Sequence, residues 1–370
     1  MEKKIIPLDT DSNRNYALDA VKIAATIIII FHHYQQLTGS TFFSGVNYYG
    51  DWFYFGIMVE LFFLISGYLM YRYIDVIQEE GITLKDWYIK RSLRLLPMVA
   101  VSTVVSETAL HIHNLFCPGG FCYNEKTIDI FGILITSLGL QRIGVFEYPR
   151  INNPTWYISV LLLVYVVFYI STKLAKRLQC SHDYIYIFII LFSCGIRQNG
   201  MDVPFFTDHT TRGYACFFFG VLLAGYVRKN GVSLRVAIAD IFVLAVLSFL
   251  LIFDREFVEQ KIWYLMSFVF FPGLVLLTET EVAKRIFRHR FWGIWGQISF
   301  HAYIWHYPMF WAMCLTTHIL NITPYYAQRK WMYLFCFLAM AVGIVSFYCI
   351  EKPLNKFIHK KRSGNTSLAE

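Results

Sequence analysis

Lys22 and His33 stand eleven positions apart in an otherwise apolar run, from Asp19-Ala-Val-Lys22 to Phe31-His32-His33. At about 100° per residue, an eleven-residue step returns to nearly the same helix face, roughly 16 Å along the axis. Ionisable groups inside a bilayer are costly and usually mark a pathway or a reaction centre. A lone lysine could instead snorkel to the headgroups, with the histidines turned toward another helix. The pair on one face favours a polar site. There an imidazole could accept a hydroxyl proton near neutral pH, and an ammonium could hold an anion.

Further candidates follow along the chain. Glu60, in Glu60-Leu-Phe-Phe-Leu-Ile-Ser66-Gly67, is a carboxylate in an apolar helix and needs a partner, for which Lys22, His33 or a nearby hydroxyl is the expected type. Ser66 and Gly67 suit close helix approach. Arg91 and Arg94, before Pro97, share a helix face. Two guanidinium groups there suit a phosphate-bearing ligand, or serve only as a basic membrane flank. Asn153-Pro154-Thr-Trp156 opens another apolar segment, and Trp156 alone could be an interfacial aromatic. Arg212 begins a later one, with Gly220 on a compatible packing face. Near the end, Ser299, Tyr303 and His306 recur at helical spacing before Pro308, so all three can face one cavity.

The elements that carry these residues are expected to be membrane helices. Hydrophobic residues make up 56% of the 370 and charged residues only 16%, against about a quarter charged in soluble domains. Ten apolar segments are predicted to span: 18–37, 52–74, 94–113, 154–172, 184–200, 212–227, 234–252, 262–279, 293–313 and 331–350. The stretch 128–146, broken by Gly132, Gly139 and Gly144, is expected to be re-entrant or interfacial. With the amino terminus inside, 24 of the 33 lysines and arginines fall on the cytoplasmic side and nine outside. That bias predicts both termini cytoplasmic and an even number of spans.

The fold class is therefore all-α, a polytopic transmembrane bundle of about ten spans. One integral-membrane domain, 1–362, is expected, followed by a disordered cytoplasmic tail, 363–370. The first span reads as an uncleaved anchor. A net charge of +8 is explained by loops and lipid headgroups, so no nucleic-acid partner is expected. The eight cysteines have no metal-like spacing and no metal is expected; Cys117 and Cys122, around a Pro-Gly-Gly turn, could be a disulfide or two thiols.

Taken in order, these segments resemble the membrane-bound acyltransferase family 3, bacterial inner-membrane O-acyltransferases of surface glycans and lipids. Lys22 and His33 match a basic residue, ten intervening residues and a histidine. Glu60, Ser66 and Gly67 match the acidic residue before Phe-Phe-x-x-Ser-Gly, and Arg91, Arg94 and Pro97 the basic pair before proline. Asn153-Pro154-x-Trp156, the Ser299-Tyr303-His306-Pro308 run and Glu351-x-Pro353 complete the likeness, which covers about residues 14 to 357. Two positions depart from it: Leu161 stands where many members carry glutamate, and Phe300 where tyrosine is common.

The resemblance implies transfer of an acyl group, acetyl being the commonest, from cytoplasmic acyl-coenzyme A to a hydroxyl of a glycan or lipid-linked acceptor. The coenzyme is a substrate and no permanently bound cofactor is implied. His33 would be the base. Lys22, together with Arg91 and Arg94, would pair with coenzyme phosphates or polarise the thioester, and Glu60 would keep Lys22 or His33 in the useful ionisation state. His306 and Tyr303 would orient the acceptor or the developing oxyanion. Trp156, Arg212 and Ser299 would line the acceptor site. A covalent acyl-histidine is also compatible with these residues. The rival class is a transporter or exporter of a glycan or lipid-linked intermediate, which likewise places charges at mid-membrane.

Overall fold

The computed structural model describes residues 14–79, 81–116, 128–145, 151–254, 256, 259–322 and 325–353. Cys117, Cys122 and the tail 363–370 lie outside them. The described residues form helices and no strand, apart from one bridge between Val203 and Phe206. In chain order the helices are α1 (Tyr16–Thr38), α2 (Phe55–Glu79), α3 (Leu84–Phe116), α4 (Ile130–Ser137), α5 (Asn153–Arg177) and α6 (His182–Gln198). They continue as α7 (Asp208–Asn230), α8 (Leu234–Phe253), α9 (Ile262–Thr278), α10 (Glu281–Ile286), α11 (Phe291–Ile319) and α12 (Arg329–Glu351).

Among the described residues, six helices are long and apolar enough to cross a membrane: α1, α2, α3, α5, α8 and α12. Local chemistry sets their ends. Asn15 caps α1 by accepting from Leu18 N at 3.0 Å, and Gly39, at φ +61°, ends it in the left-handed conformation. The glycine-broken stretch after residue 128 yields only the eight-residue α4, about 12 Å long and too short to span.

Two close approaches fix the bundle. At Gly67 of α2 an added Cβ would lie 1.8 Å from the Phe217 carbonyl oxygen of α7. At Gly220 of α7 it would lie 2.0 Å from the Leu64 carbonyl oxygen of α2. The two backbones touch because neither glycine interposes a side chain. Helix α11 packs against α1, α3 and α12. There Gly296 leaves room for Asp19 of α1, whose carboxylate would be only 2.5 Å from a Cβ at that position. Helix α8 lies at the margin, with Phe242, Phe249 and Ile252 exposed as a lipid-facing surface would require.

Candidate active site

A cavity of about 560 Å³ opens between α1, α2, α3, α5 and α11. Helix directions divide its lining. Its mouth gathers residues from the start of α1, the later part of α2 and the first turns of α3: Arg14, Lys22, Arg72, Lys90, Arg91 and Arg94. From the next turn of α1, the earlier part of α2, the first turns of α5 and the middle of α11 come Thr26, Phe62, Ser66, Tyr157, Leu161 and Tyr303. One end is therefore cationic and the other is aromatic, aliphatic and hydroxyl-bearing. Tyr157 OH donates to the Phe62 carbonyl at 3.3 Å and lies 3.0 Å from Ser66 Oγ, which ties the inner wall together.

The cations are held differently. Lys22 Nζ lies 2.5 Å from Asp19 Oδ1, and the other oxygen of that carboxylate accepts from Arg14 Nε at 2.6 Å. Asp19 thus aims two cations at the mouth, and Lys22, with 23% of its side chain exposed, faces the cavity and not lipid. Arg91 lies flat on Trp87, its guanidinium carbon 2.9 Å from the ring centroid, with Tyr73 at 4.9 Å. Trp87 is anchored in turn by donating from its indole to the Tyr165 carbonyl at 3.0 Å. Arg94 is exposed at the mouth. The shared face expected for Arg91 and Arg94 is present, but one is stacked and the other is not.

The cavity stops at Tyr303. Its hydroxyl donates to the Pro154 carbonyl at 2.6 Å, and its ring meets Phe62, Tyr157 and His306 at centroid distances of 5.9 Å each. Behind it, His33 Nδ1 and His306 Nε2 are 2.8 Å apart, with ring planes only 13° from parallel. The structure thus joins the first and last histidines of the candidate set across 273 residues. The expectation of one chamber lined by Ser299, Tyr303 and His306 needs correction. Ser299 and Tyr303 line the cavity and His306 does not, because the Tyr303 ring closes the space one turn before it. His32 turns away: its Nδ1 donates to the Tyr48 carbonyl at 2.7 Å, under the loop that follows α1.

Glu60 requires a second correction. Its carboxylate accepts from Arg212 Nε at 2.6 Å and Nη2 at 3.0 Å, and from Trp263 Nε1 at 2.9 Å. Arg212, and not Lys22 or His33, is its charge partner. That bidentate pairing holds the buried Arg212 guanidinium on Glu60. Trp156 lies against the same group, 5.1 Å from the guanidinium carbon, and packs on Phe63 and His209. Neither Trp156 nor Arg212 lines the cavity.

Three features escape a reading by residue type. Arg14, Arg72 and Lys90 join the cationic mouth, although in sequence they look like ordinary flanking charges. Buried His301 pairs through Nε2 with Glu351 and lies 2.9 Å from Ser346 Oγ. Asn152, at φ 45° and 1% exposed, donates through Nδ2 to the Ile304 carbonyl at 3.1 Å. A signal for this last contact did exist. Pro308 has no N–H, so the carbonyl four residues earlier, Ile304, loses its helical donor and needs another.

A family model described as an acyltransferase domain, family 3, matches residues 15–350 of the chain. No curated protein and no solved structure matches it. The match spans α1 to the last turn of α12 and so includes every residue of the cavity and histidine pair except Arg14 and Glu351.

Proposed function

From the premise that the chain belongs to acyltransferase family 3, and is an integral-membrane acyltransferase, we propose the reaction it performs. It moves an acyl group, most simply acetyl, from cytoplasmic acyl-coenzyme A to a hydroxyl of a cell-surface or lipid-linked glycan. The observation that carries this reading is the two-ended cavity, with six cations at its mouth and a buried histidine pair behind its closed end. Coenzyme A is polyanionic at one end and carries a narrow, uncharged pantetheine ending in the thioester at the other. Guanidinium groups suit phosphate through charge-assisted, forked hydrogen bonds.

In this reading ten helices lie in the membrane, α1–α3, α5–α9, α11 and α12. The domain covers residues 1–362, both termini are cytoplasmic, and the cationic mouth faces the cytosol. The 24-to-9 split of lysine and arginine supports that orientation. Placement in a bacterial plasma membrane follows from the acceptor class proposed.

The chemistry is a balanced exchange. His33 takes the proton of the acceptor hydroxyl as its oxygen attacks the thioester carbonyl. The carbon–sulfur bond then breaks, and the imidazolium returns the proton to the coenzyme thiolate. The products are the ester and free coenzyme A, with no net proton change. Lys22, Arg91 and Arg94 hold phosphates, and Tyr303 and Ser299 form the wall where the acyl end rests.

Purified protein in nanodiscs, given acetyl-coenzyme A and a hydroxyl acceptor, is expected to release thiol and acylate the acceptor. His33→Ala is expected to retain coenzyme binding but to lose roughly 100-fold or more in turnover. Absence of both coenzyme binding and thiol release would sink the proposal. Flux of a glycan across proteoliposomes without acyl transfer would favour the exporter instead.

A further inference from the structure

The histidine pair has a direction. A backbone carbonyl can only accept, so the 2.6 Å contact between His306 Nδ1 and the Tyr303 carbonyl puts a proton on His306 Nδ1. In a neutral ring the other nitrogen is then a lone pair. His306 Nε2 therefore accepts from His33 Nδ1–H across the 2.8 Å contact. His33 is left with a bare Nε2, the atom a base must present to a hydroxyl.

The turn that carries His306 is braced from outside its helix. Pro308 orphans the Ile304 carbonyl, and Asn152 Nδ2 donates to it at 3.1 Å while also donating to Ser102 Oγ at 3.0 Å. Two residues on, the Pro154 carbonyl accepts from Tyr303 OH at 2.6 Å. Both bonds tie α11, just before the histidine, to the short segment that opens α5. A proline would otherwise loosen the helix where the imidazole must hold its angle.

We propose that His306 is a positioning residue that sets the tautomer of His33, and that Asn152 braces the turn before Pro308 that presents it. This rests on the reading of His33 as the base. It replaces the expectation that His306 meets the acceptor or the oxyanion.

Nitrogen NMR of ¹⁵N-histidine-labelled protein in nanodiscs reads the tautomer without turnover. Wild type is expected to hold His33 as Nδ1–H with Nε2 bare. His306→Ala should release it to a mixture. His306→Gln should keep it, because the amide oxygen can accept from the same N–H. In turnover, His306→Ala should lower kcat roughly 100-fold with KM for acyl-coenzyme A unchanged, and His306→Gln should recover to within about tenfold of wild type. Asn152→Ala should lower kcat while coenzyme A still binds. An Nε2–H tautomer at His33 in wild type, a Gln variant as impaired as Ala, or a raised KM for acyl-coenzyme A in His306→Gln would overturn the assignment. The expected tautomer with no thiol release from wild type would support the pair and overturn the reaction it serves.

Discussion

Single side chains decide how the cavity would grip a donor. Arg91 is stacked on Trp87, whereas Arg94 is exposed at the mouth. Lysine keeps the charge of either but loses the planar fork. Arg94→Lys is therefore expected to raise the apparent KM for acyl-coenzyme A by about fivefold, on the order of one kcal/mol for a lost charge-assisted bond. Insertion in the membrane should be unchanged, since topology counts charge. Unaltered kinetics in Arg94→Lys would return it to the role of a flanking charge. Arg91→Lys should cost more, because the ammonium also forfeits the stacked contact with Trp87. His32 offers the internal comparison for His33. His32→Ala breaks a bond to the Tyr48 carbonyl in the loop after α1, so it should disturb that loop more than the chemistry.

At the scale of elements, α2 and α7 are joined by two features of opposite character. One is steric. Gly67→Ala would drive a methyl into the Phe217 carbonyl, which lies 1.8 Å from the added carbon, so the helices must part. The expected loss is about 1–3 kcal/mol or more, seen as a lower melting temperature in detergent. A Gly67→Ala protein as stable as wild type would mean that the contact is softer than the backbone implies. The other feature is electrostatic. Glu60 and Arg212 form a buried bidentate pair with Trp263 as a third partner. Removing Glu60 alone strands a buried guanidinium and is expected to destabilise by about 3–5 kcal/mol, whereas Glu60→Leu combined with Arg212→Met should recover much of it. If instead the double variant were stable but inactive, with coenzyme binding retained, Glu60 would belong to the chemistry after all.

At the scale of the whole molecule, function depends on which side the cationic mouth faces. On the proposed orientation, reporters fused at Gly231 and after Lys352 should give cytoplasmic signals, and one at Gly50 an external signal. A cytoplasmic signal at Gly50 would place the mouth outside, away from the coenzyme supply, and remove the basis for a cytosolic donor. The same geometry makes the two ends of the site unequal. The cavity and the His33–His306 pair lie on either side of Tyr303, whose hydroxyl is fixed to Pro154. Tyr303→Phe should loosen that partition while keeping its ring.

Much was determined by the chain alone, because membrane helices obey local rules. Hydropathy and length mark apolar helices without reference to neighbours, and the spacing of Lys22, Arg91, Arg94, Tyr303 and His306 follows from the helical repeat. Gly67 and Gly220 already read as packing positions. Which residues meet across helices is another matter, because periodicity gives the face of a residue and not the partner opposite. Glu60 had several plausible partners by type, and only the α2–α7 crossing brought it to Arg212. His33 and His306 are 273 residues apart, and no spacing rule relates them. The cationic mouth likewise exists only where the start of α1, the later part of α2 and the first turns of α3 converge. Local chemistry made these residues candidates; the helix crossings decided which became a charge pair, which a cavity wall and which a buried histidine pair.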